Sequence, residues 1–325
     1  MKTANRIEAR FICAATIMLV LVIVSGCATS GHGYSSAGMY EKPKAYQSHS
    51  RSEGVDIERS NDPSLSKPFP EMTGRDYEAA GDRYFGQQDY AMAFMRYDKA
   101  LKMTPNNSRI LYKQGLLFLV TKQFREASTY FAKVIEIDPK HAAAYEGLGT
   151  AFFKMQDYED AESQFREAVK LSPRQWRSRN YLGNIYDFRK DYDLAAKEYA
   201  EAILLRPYDA NLYNNLGVSL YLSGRYEESI NALRKGLDAK GDKNKVYNNL
   251  GLVLARIGRY DAAFEAFKQG SNAPEAYNNL GCVYMAQGDY QEAARMFNKA
   301  IEASPDFYHK AHENLKKLNI AKIVD

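Results

Sequence analysis

The chain has 325 residues, 45% hydrophobic and 13% aromatic, with 44 basic against 40 acidic side chains and a net charge of +4. So small an excess leaves no electrostatic footprint for nucleic acid. Of three cysteines, Cys13 and Cys27 fall in the first 27 residues, so the rest of the chain keeps only Cys282 and cannot close an internal disulfide.

The first ten residues carry Lys2, Arg6 and Arg10 against Glu8, and residues 11–24 are then apolar apart from Thr16. A spanning helix needs roughly 20 apolar residues, so this run is short. A basic start, a short apolar run and small residues after it are the order of a secretory signal peptide, residues 1–26. Val24-Ser25-Gly26-Cys27 resembles the bacterial lipobox. That resemblance implies cleavage before Cys27 and lipidation of its thiol, with two or more acyl chains for a stable membrane anchor. Ala28 follows where an aspartate typically marks inner-membrane retention, which implies the periplasmic face of the outer membrane of a Gram-negative bacterium. The other reading is an uncleaved helix beside a chance cysteine.

Residues 28–73 lack apolar periodicity and are rich in Ser, Gly, Pro and charge. Such a segment buries too little apolar surface to offset the entropy of ordering it. With Cys27 it reads as a lipidated, flexible tether over 27–73, about 150 Å long if fully extended.

From Gly74 the sequence repeats. Gly81, Gly115, Gly149, Gly183, Gly217 and Gly251 are 34 residues apart, Gly281 follows after 30, and Pro105, Pro139, Pro173, Pro207 and Pro305 keep the same beat. Residues 143–173 show the unit: two amphipathic helical patterns divided by a turn at Gln156-Asp157. Tyr145, Leu148-Gly149, Phe152, Ala161, Phe165, Ala168 and Pro173 match the tetratricopeptide repeat, as do Tyr277, Leu280-Gly281, Tyr284, Ala293, Phe297, Ala300 and Pro305. The resemblance implies an all-α, right-handed superhelical solenoid of seven helical hairpins: 74–107, 108–141, 142–175, 176–209, 210–243, 244–273 and 274–307. A capping helix over 308–325 turns Leu315, Leu318 and Ile320 toward the last hairpin. Small residues such as Gly149 and Ala161 sit where two helices press together, and aromatics fill the space between hairpins. Two units depart: the fifth has Ser229 for the core alanine and Gly236 and Gly241 further on, and the sixth is four residues short near 270–274. There a change of superhelix curvature, not a break, is expected.

No constellation argues for an enzyme, and no cofactor or metal is implied. Residues 236–245, GLDAKGDKNK, lack the G-K-S/T ending of a phosphate loop and read as an inter-repeat turn. His309, His312 and Glu313 suit a solvated helix face as well as a weak metal site. The clearer signal is asparagine: Asn214-Asn215, Asn248-Asn249 and Asn278-Asn279 in Tyr-Asn-Asn-Leu-Gly runs, with Asn180 and Asn184 in the fourth unit. In the resembled family the first helix of each hairpin lines a concave groove, and amides there both donate to and accept from a peptide backbone. The other reading is that these residues join adjacent hairpins. On the groove reading, changing Asn215, Asn249 and Asn279 to alanine leaves melting nearly unchanged. Arg75, Arg109, Lys113 and Arg177 give the N-terminal half a basic groove suited to carboxylates. Cys282 falls on the seventh unit's first helix.

A lipid-anchored repeat solenoid implies a non-enzymatic scaffold that binds protein partners or extended peptides. The last hundred residues, with the short sixth unit, resemble assembly lipoproteins of the tight-adherence (Flp-type) pilus, the TadD kind. That resemblance implies a partner among pilus-assembly components, above all the outer-membrane secretin, and a role in pilus secretion. The alternative is an adaptor recruiting peptidoglycan hydrolases or synthases.

Overall fold

The computed structural model describes residues 72–304 and 308–324. The signal peptide, Cys27, nearly all of the tether and Pro305 lie outside the described residues. The described part is all-α, a superhelical stack of hairpins, with no strand among the described residues. The seven hairpins are α1 Gly74–Gly86 with α2 Tyr90–Met103, α3 Ser108–Val120 with α4 Phe124–Ile137, α5 Ala142–Met155 with α6 Tyr158–Leu171, α7 Trp176–Arg189 with α8 Tyr192–Leu205, α9 Ala210–Leu222 with α10 Tyr226–Asp238, α11 Asn244–Arg256 with α12 Tyr260–Gly270, and α13 Ala273–Gln287 with α14 Tyr290–Glu302. A last helix, α15 His309–Val324, lies on α14 and α13.

Local chemistry sets the boundaries. Thr73 opens α1 with a reciprocal capping box to Asp76, and Asp89, Asn107, Asp209, Asn272 and Asp289 accept from backbone N–H groups of the first turns of their helices. Each turn within a hairpin passes once through the left-handed region, at Gln88, Lys122, Gln156, Lys190, Gly224, Gly258 and Gly288. That single residue reverses the chain tightly enough to lay the second helix back on the first.

The second helices bury one small residue each against their partner: Ala93, Ala127, Ala161, Ala195, Ser229, Ala263 and Ala293 are all 0% exposed. Ser229 fits an apolar slot because its hydroxyl donates to the Gly217 carbonyl at 2.6 Å. Over the first-helix glycine lies a large buried side chain 16 residues later, such as Phe165 on Gly149 and Phe297 on Gly281. These rings therefore fill space within each hairpin as well as between hairpins. Phe131 does both, pressed on Gly115 of its own hairpin and Gly147 of the next, and Phe165 stacks on Tyr181 at 4.9 Å.

In the fifth-to-sixth turn, Lys240 donates its backbone N–H to Tyr208 O at 2.8 Å and accepts from Ala210 at 3.0 Å. GLDAKGDKNK is thus the end of α10, an inter-repeat turn and the first two residues of α11, with the turn clipped to the one before it by a parallel bridge. The shortened unit shows as an 11-residue α12 and a two-residue link, after which Asn272 and Pro274 start α13. Stacking continues across it. At the C-terminus Leu318 is fully buried beside Ala293 and Phe297, with Leu315 packed nearby.

Gln114 breaks the pattern. It precedes Gly115 where Leu148, Leu182, Leu216, Leu250 and Leu280 precede their own glycines, it is 0% exposed, and neither amide atom has a hydrogen-bond partner among the described residues. Gln114→Leu is expected to raise stability by about 2 kcal/mol, read as a higher urea midpoint. An unchanged or lower midpoint would show that the amide is satisfied in solution.

Candidate functional site

Consecutive first helices touch one another along the stack from α3 to α15, and consecutive second helices have no comparable contact. The first helices therefore lie on the short, inner side of the curve. This is the face that carries the asparagines.

Their amides run between helices. Asn215 donates its Nδ2 to Asn180 Oδ1 at 2.9 Å, Asn249 donates to Asn214 Oδ1 at 2.7 Å, and Asn314 of the capping helix donates to Asn278 Oδ1 at 2.9 Å. Each bond joins one first helix to the next helix on the inner face. Asn214, Asn249 and Asn278 are buried, and Asn180 and Asn215 are partly buried and spent on each other. For these five the joining role is what the geometry shows, not an open row of amides. Asn184 Oδ1 accepts from the Tyr199 hydroxyl at 2.6 Å, inside its own hairpin.

One step of the ladder is missing. Asn279 and Asn248 hold the repeat positions of the Asn249–Asn214 pair, but the short sixth unit intervenes. The Asn279 side chain makes no hydrogen bond among the described residues, and Asn248 Oδ1 is buried without a partner. That oxygen would lie 2.8 Å from a Cβ at Gly270, so only glycine fits there. Among the candidate amides, Asn248 and Asn279 are the two whose side chains make no hydrogen bond among the described residues.

The first expectation about Asn215, Asn249 and Asn279 changes accordingly. Asn214→Ala would leave Asn249, whose Oδ1 already lacks a partner, with no bond at all. It is expected to cost about 1–3 kcal/mol, and Asn279→Ala nearly nothing. Equal urea midpoints for the two variants would sink the ladder as a structural device.

The N-terminal half uses charge in the same place. Glu78 is buried and accepts from Arg109 and Lys113 of the next hairpin, each at 2.6 Å, and Lys113 also reaches Asp82 at 2.6 Å. Burial pushes the Glu78 carboxyl up, but the hydrogen bonds and charges of Lys113 and Arg109 outweigh it, so its pKa sits below the ordinary value. Arg109 and Lys113 are thus joined to acids across a helix interface and do not form a free basic groove. Arg75 is exposed. Arg177 lies over the Trp176 ring, 4.8 Å from its centroid, at the start of α7.

Taken alone, Asp187 carries no mark in the sequence. It sits on the inner helix α7, accepts from the Tyr199 hydroxyl at 2.8 Å, and leaves Oδ1 buried without a partner. Burial pushes its pKa up to about 6 against the lowering effect of the neighbouring Ser219 and Tyr199 hydroxyls. Phe188 beside it is 67% exposed. Acids are common on solvated helix faces, and only the apolar residues in its slot of the other repeats set it apart.

Cys282 is a partly buried thiol whose Sγ accepts from Asn314 at 3.5 Å. Among the described residues no group of three or more His, Cys, Asp or Glu side chains is placed to hold a metal, and no helix is long and apolar enough to cross a membrane.

Three family models described as tetratricopeptide repeat match the chain: one at residues 78–142, 112–162 and 146–211, a second at 208–276 and a third at 274–307. No curated protein sequence matches it. Among solved structures, a tetratricopeptide repeat protein from Parabacteroides merdae has a TM-score of 0.55 at 16% identity, over 76% of this chain and 98% of its own. The APC/C hetero-tetramer Cut9-Hcn1 gives 0.53 at 19%, over 78% and 50%. The Pseudomonas aeruginosa pilF structure gives 0.50 at 20%, over 66% and 97%. At these identities the likeness is one of fold.

Proposed function

The chain belongs to the tetratricopeptide repeat family, whose models match without a gap from residue 78 to 307, and on that premise we propose that it is a lipid-anchored scaffold for building an extracellular fibre. The repeat fold supports a protein-binding role. The observation that carries this role is the capped stack of seven hairpins, which holds one continuous inner face of first helices. Such a face meets an extended segment of a partner at several hairpins at once, and needs no chemistry beyond contact.

In this reading Cys27 carries acyl chains in the inner leaflet of the outer membrane, and residues 28–73 hold the solenoid in the periplasm. The Val24-Ser25-Gly26-Cys27 run supports the anchor. The resemblance of the last hundred residues to tight-adherence pilus lipoproteins supports a pilus-assembly client, with the secretin as the first candidate. Unspent amides at Asn248 and Asn279 give the C-terminal half of the inner face its polar contacts.

The test is anchor and client together. Cys27→Ala is expected to abolish acyl labelling and release the protein from the membrane fraction. Crosslinking of the wild-type chain in its native membrane, followed by mass spectrometry, is expected to recover a secretin and pilus components, and the variant to lose them. Recovery of peptidoglycan enzymes without a secretin would replace the client and keep the scaffold. Unchanged membrane retention of the variant would remove the anchor.

A further inference from the structure

Every repeat has the same slots, so the chain supplies its own controls for what each position normally holds. The slot of Asp187 holds Phe85, Leu119, Phe153, Tyr221, Ala255 and Met285 in the other six hairpins. That of Ser219 holds Leu117, Ala151, Ile185, Val253 and Val283 in the second, third, fourth, sixth and seventh. The two exchanges fall on either side of one joint, Asp187 on α7 of the fourth hairpin and Ser219 on α9 of the fifth.

They also meet. Ser219 is 0% exposed, and its hydroxyl neighbours the Asp187 carboxyl. Ser219 donates its hydrogen to the Tyr192 carbonyl at 3.4 Å, which leaves its oxygen only accepting. The single hydrogen of the Tyr199 hydroxyl is shared between Asn184 Oδ1 at 2.6 Å and Asp187 Oδ2 at 2.8 Å. Asp187 Oδ1 is buried without a partner. With Asp187 ionised, this cluster of oxygens is one hydrogen short.

No counter-charge makes up the difference. Helix α7 packs on α5, α6, α8 and α9. From α6, Glu159 and Glu162 meet Arg189, and from α8, Glu198 meets Arg179. Lys154 of α5 and Lys190 of the turn are exposed, and α9 has no charged residue. The titratable groups that feel the Asp187 charge are Tyr192 and Tyr199 of α8, and no cation among the described residues acts on it. The first hairpin shows the contrast. There Tyr97 donates to Asp82 at 2.8 Å, but Lys113 of the next hairpin meets that acid at 2.6 Å.

We propose that this cluster is a proton-operated latch: neutral Asp187 closes the fourth hairpin on the fifth, and loss of its proton loosens that joint. A neutral carboxyl supplies the missing hydrogen, whereas a buried carboxylate without a cation is costly and gains by opening to water. The folded carboxyl loses its proton near pH 6, against an ordinary 3.8. The latch is therefore closed in mild acid and weakest at neutral pH and above. Loosening it leaves the inner face as a block of four hairpins and a block of three.

Backbone hydrogen exchange of the full-length protein at pH 5 and pH 7.5, read by mass spectrometry, tests this. Protection is corrected for the intrinsic pH dependence of exchange. In the last turns of α7 and in α9 it is expected to fall about tenfold between the two pH values, the ratio that proton linkage gives for a pKa of about 6 closed and 3.8 open. The first and seventh hairpins, which open independently in a linear array, are expected to keep theirs. Asp187→Asn is expected to remove the step, and so is Asp187→Leu, which copies the slot as Leu119 fills it. Equal loss in all seven hairpins would overturn the latch by making the effect global. No loss at α7 and α9, or a step that survives in both variants, would overturn it outright.

Discussion

Phe267→Ala is expected to cost about 3–5 kcal/mol and to unfold the C-terminal hairpins ahead of the rest. The ring is 1% exposed and rests on the backbone of α11, so close that a Cβ at Gly251 would lie 2.6 Å from it. Removing it opens a void between α11 and α12, and α12 is the shortest second helix, with the least remaining surface to close over the gap. In a solenoid, stability is a sum of repeat terms and nearest-neighbour contacts. The loss should therefore appear as an early, separate transition in urea followed by circular dichroism. Gly251→Ala attacks the same contact from the other side by overpacking, at about 1–3 kcal/mol. Phe267→Leu in the Gly251→Ala background should recover part of that cost. One unshifted cooperative transition for Phe267→Ala would mean that the sixth hairpin contributes little to the array.

Asp187→Asn is expected to stabilise the protein above pH 6 and to do nothing below pH 4. The folded carboxyl has a pKa of about 6 because it is buried, against an ordinary 3.8. Between those values the folded state holds more protons than the unfolded chain, so stability falls as pH rises through that window and stays lower above it. A proton held roughly a hundredfold more tightly in the folded state amounts to about 3 kcal/mol at neutral pH. The hydrogen bonding agrees. The Tyr199 hydroxyl has one hydrogen and faces two acceptors, Asn184 Oδ1 and Asp187 Oδ2. A protonated Asp187 removes the conflict by donating to the hydroxyl oxygen. Urea midpoints measured from pH 4 to 8 test this. A variant no more stable than the parent at pH 7.5 would mean that Asp187 is ionised and solvated in the fold.

The repeat was legible because it is written in local spacing. Gly149 sits under Phe165 and Ala161 packs at 0% exposure, as a 34-residue pattern of small and large residues requires. The departures at Ser229 and Gly270 were visible as breaks in that pattern, and Gln114 in the leucine slot before Gly115 could have been found by the same comparison. Asp187 and Ser219 were open to it too. What could not be read was the partner of each polar side chain. Asn214 and Asn215 are neighbours in identical contexts, yet one is buried and accepts from the hairpin ahead, while the other donates to the hairpin behind. Arg109 and Lys113 looked like a basic face because Glu78 is a full repeat away in sequence.

The sequence by itself determined the number of hairpins and the loss of one turn in the sixth, because both depend on residues within a single 34-residue unit. Only the tertiary structure decided which amides close on each other, that Glu78 rather than a ligand takes the nearby cations, and that Asn248 and Asn279 miss their step. Those outcomes depend on how far one hairpin is rotated and shifted on the next, a quantity summed over all the contacts between them and encoded in no single repeat.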